Sequence, residues 1–88
     1  MTEATIEKGT YNGWANYETW NVSLWIQNDE FLYNTAKACV TYCTEAETPY
    51  SKFIRCMSNC ERPATRDGVR YDDPAVNVAE IVDMMVEL

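Results

Sequence analysis

Asn16-Tyr17-Glu18-Thr19-Trp20-Asn21-Val22-Ser23-Leu24-Trp25-Ile26-Gln27 is the stretch on which the fold turns. It holds no Gly or Pro. At about 100° per residue, Tyr17, Trp20 and Leu24 form one apolar stripe, and Val22, Trp25 and Ile26 form a second on the other side. A helix that is apolar around most of its circumference is a buried one. The spacing therefore predicts a helix from about Tyr17 to Gln27 at the centre of the domain, with Trp20 in the core. Asn16 suits the N-cap because its side-chain oxygen can accept from a backbone N–H two or three residues on. Glu18 then falls in the first turn, where the helix dipole favours negative charge. Trp14 and Trp25 read either as core residues or as exposed anchors.

Downstream, three more helices are marked by their own punctuation. Asp29 caps a second helix with Leu32, Ala36, Cys39, Val40 and Cys43 on one face. Thr48-Pro49 opens a third, since Thr caps well and Pro fits the first helical position. Its apolar face is Tyr50, Phe53, Ile54, Met57 and Cys60, and it stops before Pro63. Asn77, with Glu80 three residues later, resembles a capping box ahead of Val78, Ile81, Val82 and Met85. Residues 61–73 are polar and contain Asp67-Gly68. Val69-Arg70-Tyr71 could form one arm of a small hairpin, but the segment before Asp67-Gly68 contains Pro63 and lacks alternation, so a loop is favoured. Upstream, Asn12-Gly13 is a turn signal, and residues 1–10, without a sustained period, read as a flexible tail. The expectation is one all-α domain over residues 11–88, a compact bundle of about four short helices.

The chain has 88 residues, 14 acids, seven bases and no histidine, for a net charge of −7. That balance disfavours direct nucleic-acid binding, which needs Lys and Arg to replace phosphate counterions. An acidic face could instead meet a basic surface on a protein partner. The opening Met1-Thr2-Glu3-Ala4-Thr5-Ile6-Glu7-Lys8 has no apolar export core, and no stretch approaches a membrane span. The expected location is the cytoplasm, with reduced cysteines.

Catalysis is disfavoured on several counts. Without histidine the commonest general base and metal ligand are gone. The three glycines form no phosphate loop. Carboxylate pairs such as Asp29/Glu30 and Asp72/Asp73 stand where helix caps are expected. No cofactor is implied.

The cysteines are the most specific feature: Cys39-x3-Cys43, twelve residues, then Cys56-x3-Cys60. Each pair faces one way on its helix. Three outcomes are open: a four-thiolate zinc site, a disulfide ladder joining Cys39 to Cys60 and Cys43 to Cys56, or free thiols packed as small hydrophobes. A turn near Glu47 lies about three residues after Cys43 and about eight before Cys56, offsetting the ladder pairs by roughly 7 Å. That favours free thiols and no metal.

The run from Tyr11 to Tyr33, with Gly13-Trp14-Ala15-Asn16-Tyr17-Glu18-Thr19-Trp20 and Trp25-Ile26-Gln27-Asn28-Asp29-Glu30-Phe31-Leu32-Tyr33, resembles a family of small phage, prophage and mobile-element proteins. Asp67-Gly68-Val69 and Asp72-Asp73-Pro74 are similar too, though less specific. The cysteines lie outside the shared pattern. The resemblance implies a mobile-element origin and no catalytic residues. It suggests an inhibitor of a host defence or nucleic-acid-processing protein, most concretely an anti-CRISPR. Occlusion of a basic channel would fall to Asp29, Glu30, Glu45, Glu47, Asp72 and Asp73. The alternative is a structural or redox helical module built on the four cysteines. An exposed apolar stripe would also allow a homodimer.

Overall fold

Four capped helices follow one another with short links: α1 (Tyr17–Asn28), α2 (Glu30–Tyr42), α3 (Pro49–Asn59) and α4 (Val78–Val86). The computed structural model describes residues 11–88, and the tail expected over residues 1–10 lies outside the described residues. Among the described residues there are no strands, only two isolated bridges, Tyr11↔Trp14 and Ala64↔Arg70. The architecture is all-α, as the spacing of apolar residues requires.

Each helix begins at the residue its local chemistry selects. Asn16 is extended and its Oδ1 accepts from the Thr19 backbone N–H at 2.9 Å. Asp29 accepts from Leu32 N–H at 3.1 Å, and its own N–H closes α1 on the Trp25 carbonyl at 2.9 Å. One residue thus ends α1 and starts α2, which makes the corner abrupt. Thr48 Oγ1 accepts from Ser51 N–H, with Pro49 at the first helical position. The start of α4 corrects the capping-box expectation. Asn77 Oδ1 does accept from Glu80 N–H at 3.1 Å. The reciprocal half is replaced by tertiary bonds, because Glu80 Oε1 accepts from Ala15 N–H at 2.9 Å and Asn77 N–H donates to Thr19 Oγ1 at 2.8 Å.

α3 ends in a Schellman arrangement: Arg62 N–H donates to the Met57 carbonyl (2.8 Å) and Glu61 N–H to the Ser58 carbonyl (3.0 Å). The left-handed position, usually glycine, is Glu61 with φ +62°. Asn12 and Gly13 both have positive φ between the paired Tyr11 and Trp14, as a type I′ turn demands. In the 61–73 connection a four-residue turn closes on the Thr65 carbonyl, with Gly68 at φ +94°. A single bridge forms there instead of a hairpin.

The core is drawn from every element: Val22 and Ile26, Leu32, Ala36 and Cys39, Tyr50, Phe53 and Met57, Val69, Tyr71 and Val76, Ile81 and Met85. α2 and α4 each touch the other three helices, while α1 and α3 sit on a diagonal and do not touch. α1 contributes five buried residues, more than any other helix; Val22 and Ile26 are of the expected second stripe, and the other three are polar. Thr19, Asn21, Val22, Ser23 and Ile26 point inward. Tyr17 and Leu24 are exposed and Trp20 is only half-buried, so Trp20 is not the core anchor expected of it. The same correction applies to Cys60 and Val78, both exposed at the ends of their helices.

Candidate functional site

The physical reason α1 is turned this way is a polar tie to the segment from Thr65 to Asn77. Asn21 is fully buried. Its Oδ1 accepts from the Thr65 hydroxyl at 2.7 Å and its Nδ2 donates to Asp67 at 2.8 Å. The Trp25 indole N–H donates to the same Asp67 oxygen at 2.9 Å. Asn16 Nδ2 donates to the Ala75 carbonyl at 2.6 Å. Burying polar groups is unfavourable unless each finds a partner, so these bonds decide which side of α1 the connection covers. The bonds from Asn21 and Trp25 hold the Asp67 carboxyl below the usual carboxylate range. The Asn16-to-Asn21 signature is therefore a cap and a tertiary clamp.

With that side covered and the Val22/Ile26 side against α2 and α4, the remaining face of α1 is left open. It carries Tyr17, Trp20 and Leu24, with Tyr11 laid over them from the preceding turn. The Tyr11–Tyr17, Tyr11–Trp20 and Tyr17–Trp20 ring centroids are 5.5, 5.1 and 5.7 Å apart. Tyr11, Tyr17 and Leu24 are 37%, 38% and 37% exposed. Three interlocked rings on a helix are preorganised, so little conformational freedom is left to lose when a partner covers them. The stripe was visible in the sequence, but periodicity alone could not say that it faces outward.

Four of the six acids expected to contact a partner are engaged within the chain. Glu30 and Glu45 are exposed and have no partner among the described residues. Glu30 opens α2 and Glu45 lies in the turn beyond its far end, past a helix about 20 Å long. Asp29 is occupied as a cap. Glu47 holds Arg55 through two bonds of 2.7 and 3.2 Å, which lower the Glu47 carboxyl. Asp72 is lowered in the same way by Arg70. Asp73 accepts from Ala75 N–H in a local turn. A row of acids, Glu80, Asp83 and Glu87, of which the sequence singled out only Glu80 and only as a cap partner, lines a shallow depression on α4 with Trp14 and Met84. Its signal was the three- and four-residue spacing along the last helix.

All four cysteines are free thiols. The turn at residues 44–48 sets Cys56 against Cys39, one helical turn out of ladder register. Both line a cavity between α2 and α3 with Phe31, Tyr42 and Lys52. Burial, then the neighbouring Cys56 thiol, pushes Cys39 up to about 12. Cys43 is half-buried and Cys60 exposed. Among the described residues no three Cys, Asp or Glu side chains gather as a metal cluster.

The fold and its surfaces define a small four-helix domain with a clamped loop and an open aromatic face. No described helix is long and apolar enough to cross a membrane. The chain belongs to DUF7249, a family of unknown function, whose profile matches residues 7–88. No curated protein and no solved structure matches it.

Proposed function

We propose that this protein is a mobile-element-encoded binding protein that inhibits a host defence or nucleic-acid-processing protein. An anti-CRISPR inhibitor is the most concrete form. The observation that carries the binding reading is the open stripe of Tyr11, Tyr17, Trp20 and Leu24. Tyr and Trp dominate protein-binding hot spots because they bury large areas with few rotatable bonds. The net charge of −7 directs the stripe toward a basic partner. The exposed acids Glu30, Glu45, Asp83 and Glu87 act mainly by steering encounter and by excluding acidic competitors. Docked on a basic nucleic-acid groove, the domain blocks it without chemistry of its own. The mobile-element origin rests on the resemblance of the Asn16-to-Trp20 and Trp25-to-Tyr33 runs.

The test is titration of the purified protein into DNA-cleavage reactions of purified RNA-guided nucleases and restriction enzymes. Near-stoichiometric inhibition of one of them is expected, weakening as salt rises. The double variant Tyr17→Ala/Leu24→Ser should lose at least about tenfold in potency while keeping its helical content, its melting temperature lowered only by the lost ring contacts with Tyr11 and Trp20. Equal potency of that variant would remove the stripe from the mechanism. A second copy of the chain is the competing occupant. Sedimentation showing a dimer that Leu24→Ser dissolves would reassign the stripe to self-association.

A further inference from the structure

Between the start of α2, the end of α3 and the connection that follows lies a cavity of about 390 Å³, within the size range of small-molecule sites. Its floor is apolar, with Leu32 and Met57 both buried, and Trp25 forms one side. Two features of its wall leave polar capacity unspent inside the described part of the protein. Tyr71 is 2% exposed, yet its hydroxyl makes no hydrogen bond to any described residue. The equally buried Tyr50 hydroxyl, by contrast, donates to the Tyr71 carbonyl. A buried O–H without a partner is rare and unfavourable unless something outside the chain satisfies it. The second feature is a pair of arginines. Arg55 and Arg70 are held by carboxylates. Arg62 and Arg66 have no ion pair among the described residues, and both line this cavity. Arg62 lies over the Phe31 ring at 5.1 Å, which holds its guanidinium at the rim.

We propose that this cavity binds a small monocarboxylate with an apolar body. The carboxylate accepts a hydrogen bond from the Tyr71 hydroxyl and pairs with Arg62 and Arg66, and the apolar body rests on Leu32, Met57 and Trp25. Burial, and after it the Asp29 carboxylate, push Tyr71 up to about 12 against an opposing effect of Arg62. The hydroxyl therefore keeps its proton at neutral pH and serves as a donor. Asp29, Arg62 and Tyr71 all line the cavity. Asp29 and Glu61 also line it and select against a dianion such as phosphate, because like charges at close range repel. The site is independent of the aromatic stripe on α1.

The experiment is a titration of the full ¹⁵N-labelled chain with phenylacetate, followed at the three indole N–H resonances and assigned with Trp25→Phe. The Trp25 signal should shift saturably, with a Kd on the order of a millimolar, while Trp14 and Trp20 stay put. Phenylacetamide, the same shape without the charge, and inorganic phosphate should bind at least about tenfold more weakly. Acetyl-phenylalanine presents the carboxylate at a peptide end. Tighter binding than phenylacetate assigns the site to a partner's C-terminus, and weaker binding assigns it to a free acid. Tyr71→Phe removes only the unpartnered oxygen, so it should weaken phenylacetate roughly 3–10-fold without lowering the melting temperature. Arg66→Gln, at an exposed residue, should weaken it comparably. The assignment is overturned if phenylacetate leaves Trp25 unmoved, if phenylacetamide binds equally well, or if both variants bind like the wild type.

Discussion

Replacing Asn21 by Ala probes the clamp that orients α1. The side chain is fully buried and joins the Thr65 hydroxyl at 2.7 Å to the Asp67 carboxylate at 2.8 Å. In Asn21→Ala the Thr65 hydroxyl, itself buried, loses its acceptor. A stranded buried donor costs about 1–3 kcal/mol. The Asp67 carboxylate is open to water and recovers most of its lost bond, so that side adds little. Ala has the higher helix propensity and returns roughly half a kcal/mol. The net loss is about 1.5 kcal/mol, a large share of the roughly 4–13 kcal/mol available to a chain of this size. At about 4–8 °C per kcal/mol, the melting temperature should fall by roughly 6–12 °C. Urea and thermal unfolding followed by circular dichroism measure both quantities. In a Thr65→Val background the same substitution should cost about 1 kcal/mol less, because no donor is left to strand. A loss under about 0.5 kcal/mol, or an equal loss in the Thr65→Val background, would refute the clamp.

Other perturbations test separate parts of the structure. Glu61→Gly relieves the left-handed backbone at the end of α3 and should stabilise the fold by about 0.5–1 kcal/mol in urea unfolding, the left-handed penalty less glycine's extra unfolded-state entropy; destabilisation would mean the Glu61 side chain is itself needed. Alkylation of the native protein at pH 8, read by peptide mass spectrometry, should label Cys60 first and Cys39 last, since only the thiolate reacts and burial pushes Cys39 up to about 12; early labelling of Cys39 would contradict its placement. Asp67 is lowered in the folded state by Asn21 and Trp25, so its contribution to stability is fully present above its unfolded pKa of about 3.9. That contribution is lost as pH falls through the lower folded value. Asp67→Asn should therefore flatten the acid limb of the stability curve, and an unchanged limb would show that this carboxylate is not linked to folding.

The ends of the helices were legible because they are decided locally. Asn16, Asp29, Thr48-Pro49 and Asn77 each satisfy backbone N–H groups within the next turn, so nothing distant needs to be known. The apolar faces of α2 and α3 followed from periodicity for the same reason, and so did the short link that disfavours a disulfide ladder. Which side of α1 is buried was not decided locally. Its sequence offers apolar residues nearly all round, and an apolar stripe is equally regular whether a neighbour covers it or not. Thr65 and Asp67, more than forty residues away, supply the partners that draw Asn21 inward and leave Tyr17 and Leu24 exposed and Trp20 half-buried. Pairing within single segments used up Glu47 and Asp72, each with an arginine only eight and two residues away, whereas packing of the connection against α1, α2 and α3 placed Arg62, Arg66 and Tyr71 around one cavity. Sequence by itself determined where α1, α2 and α3 start and that four helices share one core. For α4 it offered two starts, Asp72-Asp73-Pro74 and Asn77, and the structure uses Asn77, with Asp72 and Asp73 spent in the preceding turns instead of a cap. Tertiary structure alone decided which groups remain for a partner, because a buried polar atom must be satisfied by whatever the rest of the chain can bring to it.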